Sequence, residues 1–275
     1  MRKIIPLIAA MALAAPAHAD HHMASGTQEA TQAIDSVLAH QRRDGDRARD
    51  QYRHPAETLA FFRVKPGMTV VDYMPSGGWY TRVLVPYLGE EGRYIGLNPE
   101  ISPGMSERLA AYFGGLGAKF PGMAAKWNLE GAPYEAYNAN ELGEDMNGTV
   151  DRVLIFREMH NLLRNGLLYS ELGKLRDLLK DDGMLGIVQH RAKPWAPGAY
   201  LDGNKGYLRQ QDVIGLVEAH GFDLVGTSEI NANERDSADH PAGVWELPPV
   251  MRTGREDLKS IGESDRMTLL FRKRP

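Results

Sequence analysis

The sequence predicts a single doubly wound, mostly parallel α/β sheet of seven strands, preceded by a helical extension. Short apolar runs alternate along the chain with segments of helical periodicity. The strands read as continuous apolar runs, which is typical of parallel strands covered on both faces by helices. With 275 residues, the chain is long enough to bury a large core in one such domain.

Each predicted strand is a short apolar run bounded by turn residues. The seven runs are residues 68–73, 93–97, 134–137, 151–156, 184–189, 222–230 and 267–272. The clearest helices between them are residues 79–88, 105–113, 167–179 and 211–220. No clear helix separates the last two strands, which are joined by a long polar segment.

The N-terminus has the pattern of a secretory signal peptide. Arg2 and Lys3 precede an apolar run over residues 4–15, and Ala17–Ala19 has the small-x-small pattern of a cleavage site. The run is shorter than the roughly 20 residues that cross a bilayer. We therefore expect residues 1–19 to be removed, leaving no membrane-spanning segment, and the mature protein to be periplasmic.

The remainder divides into a helical extension over residues 20–54 and an α/β domain over residues 55–275. Residues 30–40 have helical periodicity. Residues 42–53 mix arginine with aspartate, a composition typical of a solvated helical face. Pro55 is suited to the first turn of a short helix.

Composition excludes several functional classes. The formal net charge is −4 and the pI is near 6.2, so no overall basic field attracts nucleic acid, and we expect no nucleic-acid partner. The chain has no cysteine, which excludes a thiol nucleophile and a thiolate metal site. We expect no metal site.

Polar residues follow several predicted strands, at the edge where parallel sheets bind ligands. Asp72 ends the first strand, Asn98 ends the second, and a glycine-containing turn after Asp72 opens the next helix. The fourth and fifth strands are followed by Arg157, Glu158, His160 and His190. Each residue has an ordinary structural role open to it, but their shared position favours a cleft at this edge.

The segment VVDYMPSGGWYT resembles the first motif of the class I, Rossmann-like S-adenosylmethionine-dependent methyltransferases. From about Tyr52 to Lys273 the chain also resembles an exported subgroup of predicted methyltransferases. The segments that carry this resemblance, in order, are PAETLAFFRVKPGMTVVD, FREMHNLL, LKDDGMLGIVQHRA and SEINANERDSADHPAGVWELPP. The resemblance implies methyl transfer from S-adenosylmethionine to a small molecule or an envelope component.

The resemblance also implies roles for individual residues. Asp72 would lie near the methionine end of the cofactor, Asn98 at the ribose, and Asn138 near the adenine. The implied cofactor-binding set is Asp72, Pro75, Gly77, Gly78, Trp79, Asn98, Asn138 and Arg157. By register, Met74 and Ser76 replace the first two motif glycines and Gly78 matches the third, leaving room for the cofactor. Because two glycines and the usual ribose-binding acid are replaced, we expect weakened or altered cofactor binding.

Methyl transfer to a hydroxyl or amine requires removal of a proton, which histidine performs near neutral pH. His160 and His190 are the candidates for catalytic base and substrate orienter, with Glu158 beside them. The residues expected on the acceptor side are Tyr207, Asn231, Asn233 and His240. Two alternatives stay open: a non-catalytic protein that binds a nucleoside-like molecule, and a metal-dependent enzyme that uses the two histidines.

Overall fold

Seven strands form one sheet in the computed structural model, which describes residues 33–275. They are β1 (Thr69–Tyr73), β2 (Arg93–Asn98), β3 (Tyr134–Asn138), β4 (Val150–Phe156), β5 (Leu179–His190), β6 (Phe222–Ser228) and β7 (Arg266–Lys273). Their order across the sheet is β3-β2-β1-β4-β5-β7-β6. Strands β1 to β5 are parallel, and β7 runs antiparallel to β5 and β6. The predicted fold class is confirmed.

Nine helices flank these strands in the described part of the chain. They are α1 (33–39), α2 (Asp50–Arg53), α3 (Pro55–Phe61), α4 (Thr81–Leu88), α5 (Glu107–Phe113), α6 (Leu116–Trp127), α7 (Met159–Arg164), α8 (Leu168–Leu178) and α9 (Gln210–Ala219). The sequence did not predict α6 or α7. The helical periodicity of α6 is concealed by glycines on both sides of its first residue and by Pro121 within the helix. Helix α7 has only six residues.

Two apolar layers cover the sheet, one on each face. Val70 packs in one layer and its neighbour Val71 in the other, because successive side chains of a strand point to opposite faces. Helices α3, α4 and α6 contribute to the first layer, and α7, α8 and α9 to the second. Burial on both faces explains why the strands read as continuous apolar runs.

The charged segment before the domain is not a solvated face, so that prediction was wrong. The side chains of Arg43 and Arg53 are 0% and 3% exposed. Their guanidinium groups lie 4.8 and 4.5 Å from the ring of Trp79, within the range of a cation–π contact. Arg43 also donates to Asp50 at 2.7 Å. Buried ion pairs and an aromatic ring therefore join this segment to the start of α4.

Glu263 connects the segment before the domain to the start of β7. Arg49 and Arg266 form ion pairs with its carboxylate, and Arg53 Nε donates to Glu263 Oε2 at 3.4 Å. Burial alone would raise the pKa of Glu263, but the charges of Arg266 and Arg53 and the bond from Arg49 lower it to about 2. The ionised carboxylate is thus favoured by folding.

We expect Glu263→Gln to lower the free energy of unfolding by about 3 kcal/mol or more at pH 7. Because the pKa of Glu263 falls from 4.5 to about 2 on folding, its contribution is complete above pH 4.5 and is lost as pH falls toward 2. Urea unfolding at several pH values measures this, and the variant should show a flatter acid limb. Glu229→Gln breaks an exposed pair with Arg191 and should cost under about 1 kcal/mol. Equal losses would contradict the role of Glu263.

The predicted signal peptide, residues 1–19, lies outside the described residues. Within residues 33–275, no helix combines the length and the apolar composition that crossing a membrane requires.

Candidate functional site

A cavity of about 170 Å³ lies at the carboxyl ends of β1, β2 and β4. Its position is the edge where the sequence predicted a cleft. The residues that line it are Met74, Ser76, Asn98, Tyr112, Phe113, Gly114, Leu116, Lys119, Met123 and Glu158. Apolar side chains from α5 and α6 form one wall, and the turn after β1 forms another. The cavity thus has an apolar wall from α5 and α6 and polar groups at the ends of the strands.

The turn after β1 has a left-handed backbone at three alternate residues. The φ angles of Met74, Ser76 and Gly78 are 58°, 51° and 72°. For residues with a side chain, this conformation costs about 1–2 kcal/mol each. Met74 and Ser76 thus adopt a conformation suited to glycine, at the two positions where the sequence register places motif glycines. Strain of this kind is concentrated at functional sites in proteins.

Gly78 makes room for a side chain of the protein. A Cβ atom at this position would overlap the ring of Trp127, which ends α6. The prediction that Gly78 leaves space for a cofactor is therefore wrong. Gly77 has no neighbouring atom within 4 Å of an added Cβ, and its φ is not positive.

We expect Gly78→Ala to lower the free energy of unfolding by about 2–4 kcal/mol, because it adds a left-handed side chain and displaces Trp127. Gly77→Ala, the matched control, should change it by less than about 1 kcal/mol. Urea unfolding monitored by tryptophan fluorescence compares the two variants. If the two substitutions had the same effect, the contact with Trp127 would not be the reason for glycine at this position.

Two carboxyl groups at the site have raised pKa values. Asp72 is 2% exposed, and its Oδ2 accepts from Tyr94 at 2.9 Å and from Thr81 at 3.5 Å. Burial raises the pKa of Asp72 to about 7 despite these bonds and the charge of Arg157. Burial also raises the pKa of Glu158, which lines the cavity, to about 7. Both groups therefore change protonation near neutral pH, and a cation beside them would favour their charged forms.

Asn98 and Asn138 hydrogen-bond to the backbone of residues 113–116, the segment that covers the cavity. Asn98 Nδ2 donates to the carbonyl of Phe113 at 2.8 Å, while no donor within residues 33–275 reaches its Oδ1. Asn138 is 1% exposed; its Nδ2 donates to the same carbonyl at 3.0 Å, and its Oδ1 accepts from the amide of Leu116 at 3.3 Å. Asn138 is thus occupied by the backbone and does not offer its amide to an adenine, contrary to the prediction.

Pro75 and Trp79 are also absent from the cavity lining. Pro75 is buried beside Gly96 of β2, and Trp79 is 8% exposed with its Nε1 donating to the carbonyl of Asp46 at 3.4 Å. Trp79 therefore anchors the segment before the domain.

His160 and His190 lie together, with ring centroids 5.7 Å apart. His160 is 4% exposed, and its Nδ1 lies 3.5 Å from the amide of Gln189. His190 is partly exposed, with Nδ1 2.5 Å from Ser264 Oγ. Burial lowers the pKa of His160 to about 4 and that of His190 well below its usual range, which neighbouring positive charges lower further. Both imidazoles are neutral at pH 7 and are weak bases.

The residues predicted on the acceptor side support the segment between β6 and β7. Tyr207 and His240 both hydrogen-bond to the buried carboxylate of Asp236, each at 2.9 Å. Burial alone would raise the pKa of Asp236, but the bonds from His240 and from two backbone amides lower it. Because both side chains are occupied by Asp236, we assign them no contact with an acceptor.

Asn231 and Asn233 are likewise occupied by the protein. Asn231 Nδ2 donates to Thr58 at 2.9 Å and to Thr268 at 3.0 Å. Asn233 Nδ2 donates to the carbonyls of Ile261 and Glu263. These bonds attach the segment before β7 to the domain, so the predicted acceptor-side role of both residues is corrected to a structural one.

Arg157 directly follows β4 and has a left-handed backbone, with φ of 64°. Its side chain is partly exposed, and it has no hydrogen-bond or ion-pair partner within residues 33–275. The charge of Arg157 lowers the pKa of Arg53, and the charge of Arg266 lowers the pKa of Arg157. All three charges lower the pKa of His190. The sequence did not indicate Arg53 or Arg266 as site residues, because they are remote from β4 along the chain.

The described residues contain no group of three histidine, aspartate or glutamate side chains placed to hold a metal ion. The metal-dependent alternative therefore has no ligand set in residues 33–275.

Comparison with known proteins establishes the fold. No protein-family model and no curated protein match the sequence. Among solved structures, the (4+2)-cyclase SpnF matches with a TM-score of 0.52 and 13% identity, over 91% of this chain and 95% of that chain. A SAM-dependent methyltransferase from Aquifex aeolicus matches with a TM-score of 0.49 and 19% identity, over 73% and 93%.

A third match is the Burkholderia thailandensis 1,6-didemethyltoxoflavin-N1-methyltransferase, with bound 1,6-didemethyltoxoflavin and S-adenosylhomocysteine. Its TM-score is 0.43 and its identity 16%, over 96% of this chain and 94% of that chain. The chain has the class I methyltransferase fold. At these identities the matches concern the fold alone, and the reaction has to be argued from the site.

Proposed function

We propose that the protein is an S-adenosylmethionine-dependent methyltransferase that acts on a small molecule or an envelope component. The observation that carries this proposal is the cavity at the ends of β1, β2 and β4, bounded by a turn with strained residues at glycine positions. Ser76 is exposed and Met74 packs against the core, and both residues form part of the wall of the cavity. A ligand site at this place is where parallel α/β sheets bind nucleotides.

The side chains around the cavity have the chemical character that the cofactor requires. The apolar side chains of Phe113, Leu116 and Met123 suit an adenine ring, and Asn98 Oδ1 can accept from a ribose hydroxyl. Glu158, which lines the cavity, suits the positive charge at the other end of the molecule; Asp72 is buried and does not line the cavity, so it would act on that charge only from a distance. When bound, S-adenosylmethionine supplies an electrophilic methyl group on a sulfonium.

The cavity must enlarge to admit the whole cofactor. Its volume of about 170 Å³ is below the roughly 300 Å³ at which ligand pockets begin. The covering segment is held by the carbonyl of Phe113, which accepts from Asn98 and Asn138. We expect this segment to move outward on binding, with Asn98 exchanging the carbonyl for the ligand.

Glu158 is the preferred candidate for the catalytic base. It lines the cavity, and its pKa of about 7 allows it to accept a proton near neutral pH. His160 is buried, and its pKa of about 4 makes it a weak base. His190 is partly exposed and neutral, so it is suited to orient an acceptor through a hydrogen bond.

We expect the affinity for S-adenosylmethionine to increase as pH rises through about 7. A cationic ligand stabilises the ionised forms of Asp72 and Glu158, whose pKa values are about 7, so binding releases protons. Isothermal titration at pH 6, 7 and 8, in buffers of different ionisation enthalpy, measures the affinity and the number of protons released on binding. Asp72→Asn and Glu158→Gln should each reduce the pH dependence, and Glu135→Gln, an exposed control on β3, should not.

The same titrations distinguish the alternatives. Absence of binding to both S-adenosylmethionine and S-adenosylhomocysteine would refute the methyltransferase proposal. Incubation with methyl-labelled cofactor and an envelope extract then tests for transfer. Binding without any transfer of label would favour the non-catalytic alternative.

We also propose export to the periplasm, on the basis of the N-terminal sequence alone. Expression of the full chain in a Gram-negative host should give a periplasmic product that begins at Asp20. N-terminal sequencing of the fractionated protein measures this. A product that retains Met1 and stays in the cytoplasm would contradict it.

A further inference from the structure

A cluster of arginines lies beside the cavity along the same edge of the sheet. Arg157 follows β4, and Arg266 begins β7, where it pairs with His190 at the end of β5. Arg49 and Arg53 approach from the segment before the domain and reach the same carboxylate as Arg266. The cavity thus occupies the β2-β1-β4 part of the edge, and the arginine cluster (Arg49, Arg53, Arg157 and Arg266) occupies the β4-β5-β7 part.

The arginine cluster has more positive charge than its neighbours neutralise. Glu263 is the carboxylate that pairs with Arg49, Arg53 and Arg266, and Arg157 pairs with no group in residues 33–275. Arg53 is 3% exposed, and its buried Nη1 has no hydrogen-bond partner in the described chain. Buried donors without partners are costly, so Arg53 Nη1 and the adjacent unpaired side chain of Arg157 indicate a missing anion.

Neighbouring pKa values show the same excess. Burial and then the charge of Arg157 lower the pKa of Arg53 to about 8. Burial also lowers the pKa of Arg157, and the charge of Arg266 lowers it further. The charge of Glu263 opposes this lowering of the Arg157 pKa, and the charge of Arg157 in turn lowers the pKa values of Asp72 and Glu158, which burial raises to about 7.

The arginine cluster reaches solvent at Arg157, whereas Arg53 and Arg266 are 3% and 1% exposed. Arg157, Glu158 and His190 are all partly exposed, although the strands that precede them are buried. Glu158, the proposed base, lines the cavity and is adjacent to Arg157 in the chain. A molecule bound at the arginine cluster would therefore sit next to both the base and the cofactor cavity.

We propose that Arg157, with the unpartnered Nη1 of Arg53 beside it, binds a carboxylate or phosphate group of the methyl acceptor. This inference rests on the proposed function, and it specifies that the acceptor is an anion. Guanidinium groups suit both anions, because their planar donors match carboxylate and phosphate oxygens. The anion would complete the hydrogen bonding of Arg157 and of Arg53 Nη1. Ser264, which lies between His190 Nδ1 and Arg266 Nε, links the imidazole to the same site.

A carboxylate also belongs to the cofactor itself, at its methionine end. The position along the sheet favours the acceptor, because the arginine cluster extends away from the cavity toward β5 and β7. The test below separates these two sources.

Thermal unfolding of the full chain tests the anion site without the cofactor. Inorganic phosphate or malonate at about 20 mM should raise the Tm of the unaltered protein by roughly 3 °C or more over chloride at equal ionic strength. Arg157→Gln should abolish this rise, and Arg157→Lys should retain part of it. Arg152→Gln is the matched control, since it removes a buried arginine from the opposite end of β4 and should leave the rise intact.

The unfolding temperature of Arg157→Gln in the absence of anion provides a second test. Because Arg157 has no partner and lies among other cations, Arg157→Gln without added anion should unfold at the same or a higher temperature. A structural arginine would instead lower the Tm when replaced. A phosphate response that survives in Arg157→Gln, or the absence of any response in the unaltered protein, would overturn the proposal.

Titration with S-adenosylmethionine decides which molecule supplies the anion. If Arg157 serves the acceptor, Arg157→Gln should change the affinity for the cofactor less than about threefold. A loss of about tenfold or more that disappears with decarboxylated S-adenosylmethionine would assign the site to the cofactor and overturn the acceptor assignment. If the unaltered protein binds no S-adenosylmethionine, the proposed function fails, while the phosphate response still decides the anion site.

Discussion

The carboxyl edge of the parallel sheet concentrates charges that the protein does not neutralise by itself. Asp72 and His190 lie in the last two residues of β1 and β5, and Arg157 and Glu158 follow β4, because parallel strands bring their ends to one side. Burial raises the pKa of the two acids and lowers the pKa of Arg157 and His190, so every group is shifted toward its neutral form. A ligand that supplied the opposite charges would recover part of the free energy lost to this arrangement.

Hydrophobic pattern was sufficient to predict the sheet, because its strands are buried on both faces and read as uninterrupted apolar runs. It failed for α6, whose glycines and proline conceal a buried face. It also failed for Arg43 and Arg53, which composition alone would place in water. Arg53 is buried because Glu263 lies beside it, 210 residues later in the chain, and no local pattern reports such a pair.

The candidate site was predictable only in part. Of the residues predicted at the strand ends, Asn98 and Glu158 line the cavity, and the motif register coincides with the left-handed residues Met74 and Ser76. The polar residues of the segment between β6 and β7 were misread, because a residue that satisfies a buried backbone group resembles one that binds a ligand. Asn233 illustrates this: its Nδ2 donates to the carbonyls of Ile261 and Glu263, which makes it structural.

The fold does not decide the reaction, since the match with a TM-score of 0.52 is named a cyclase and shares this sheet. Charge is divided along the edge of the sheet. Acids at the β1 and β4 ends favour a cation, and the arginine cluster toward β5 and β7 favours an anion. A cationic methyl donor and an anionic acceptor would each neutralise one set, and their own charges would orient them toward each other across Glu158. Glu263 already balances the buried arginines, so the charges left for ligands to match are those of Glu158 and Arg157, which are adjacent in the chain.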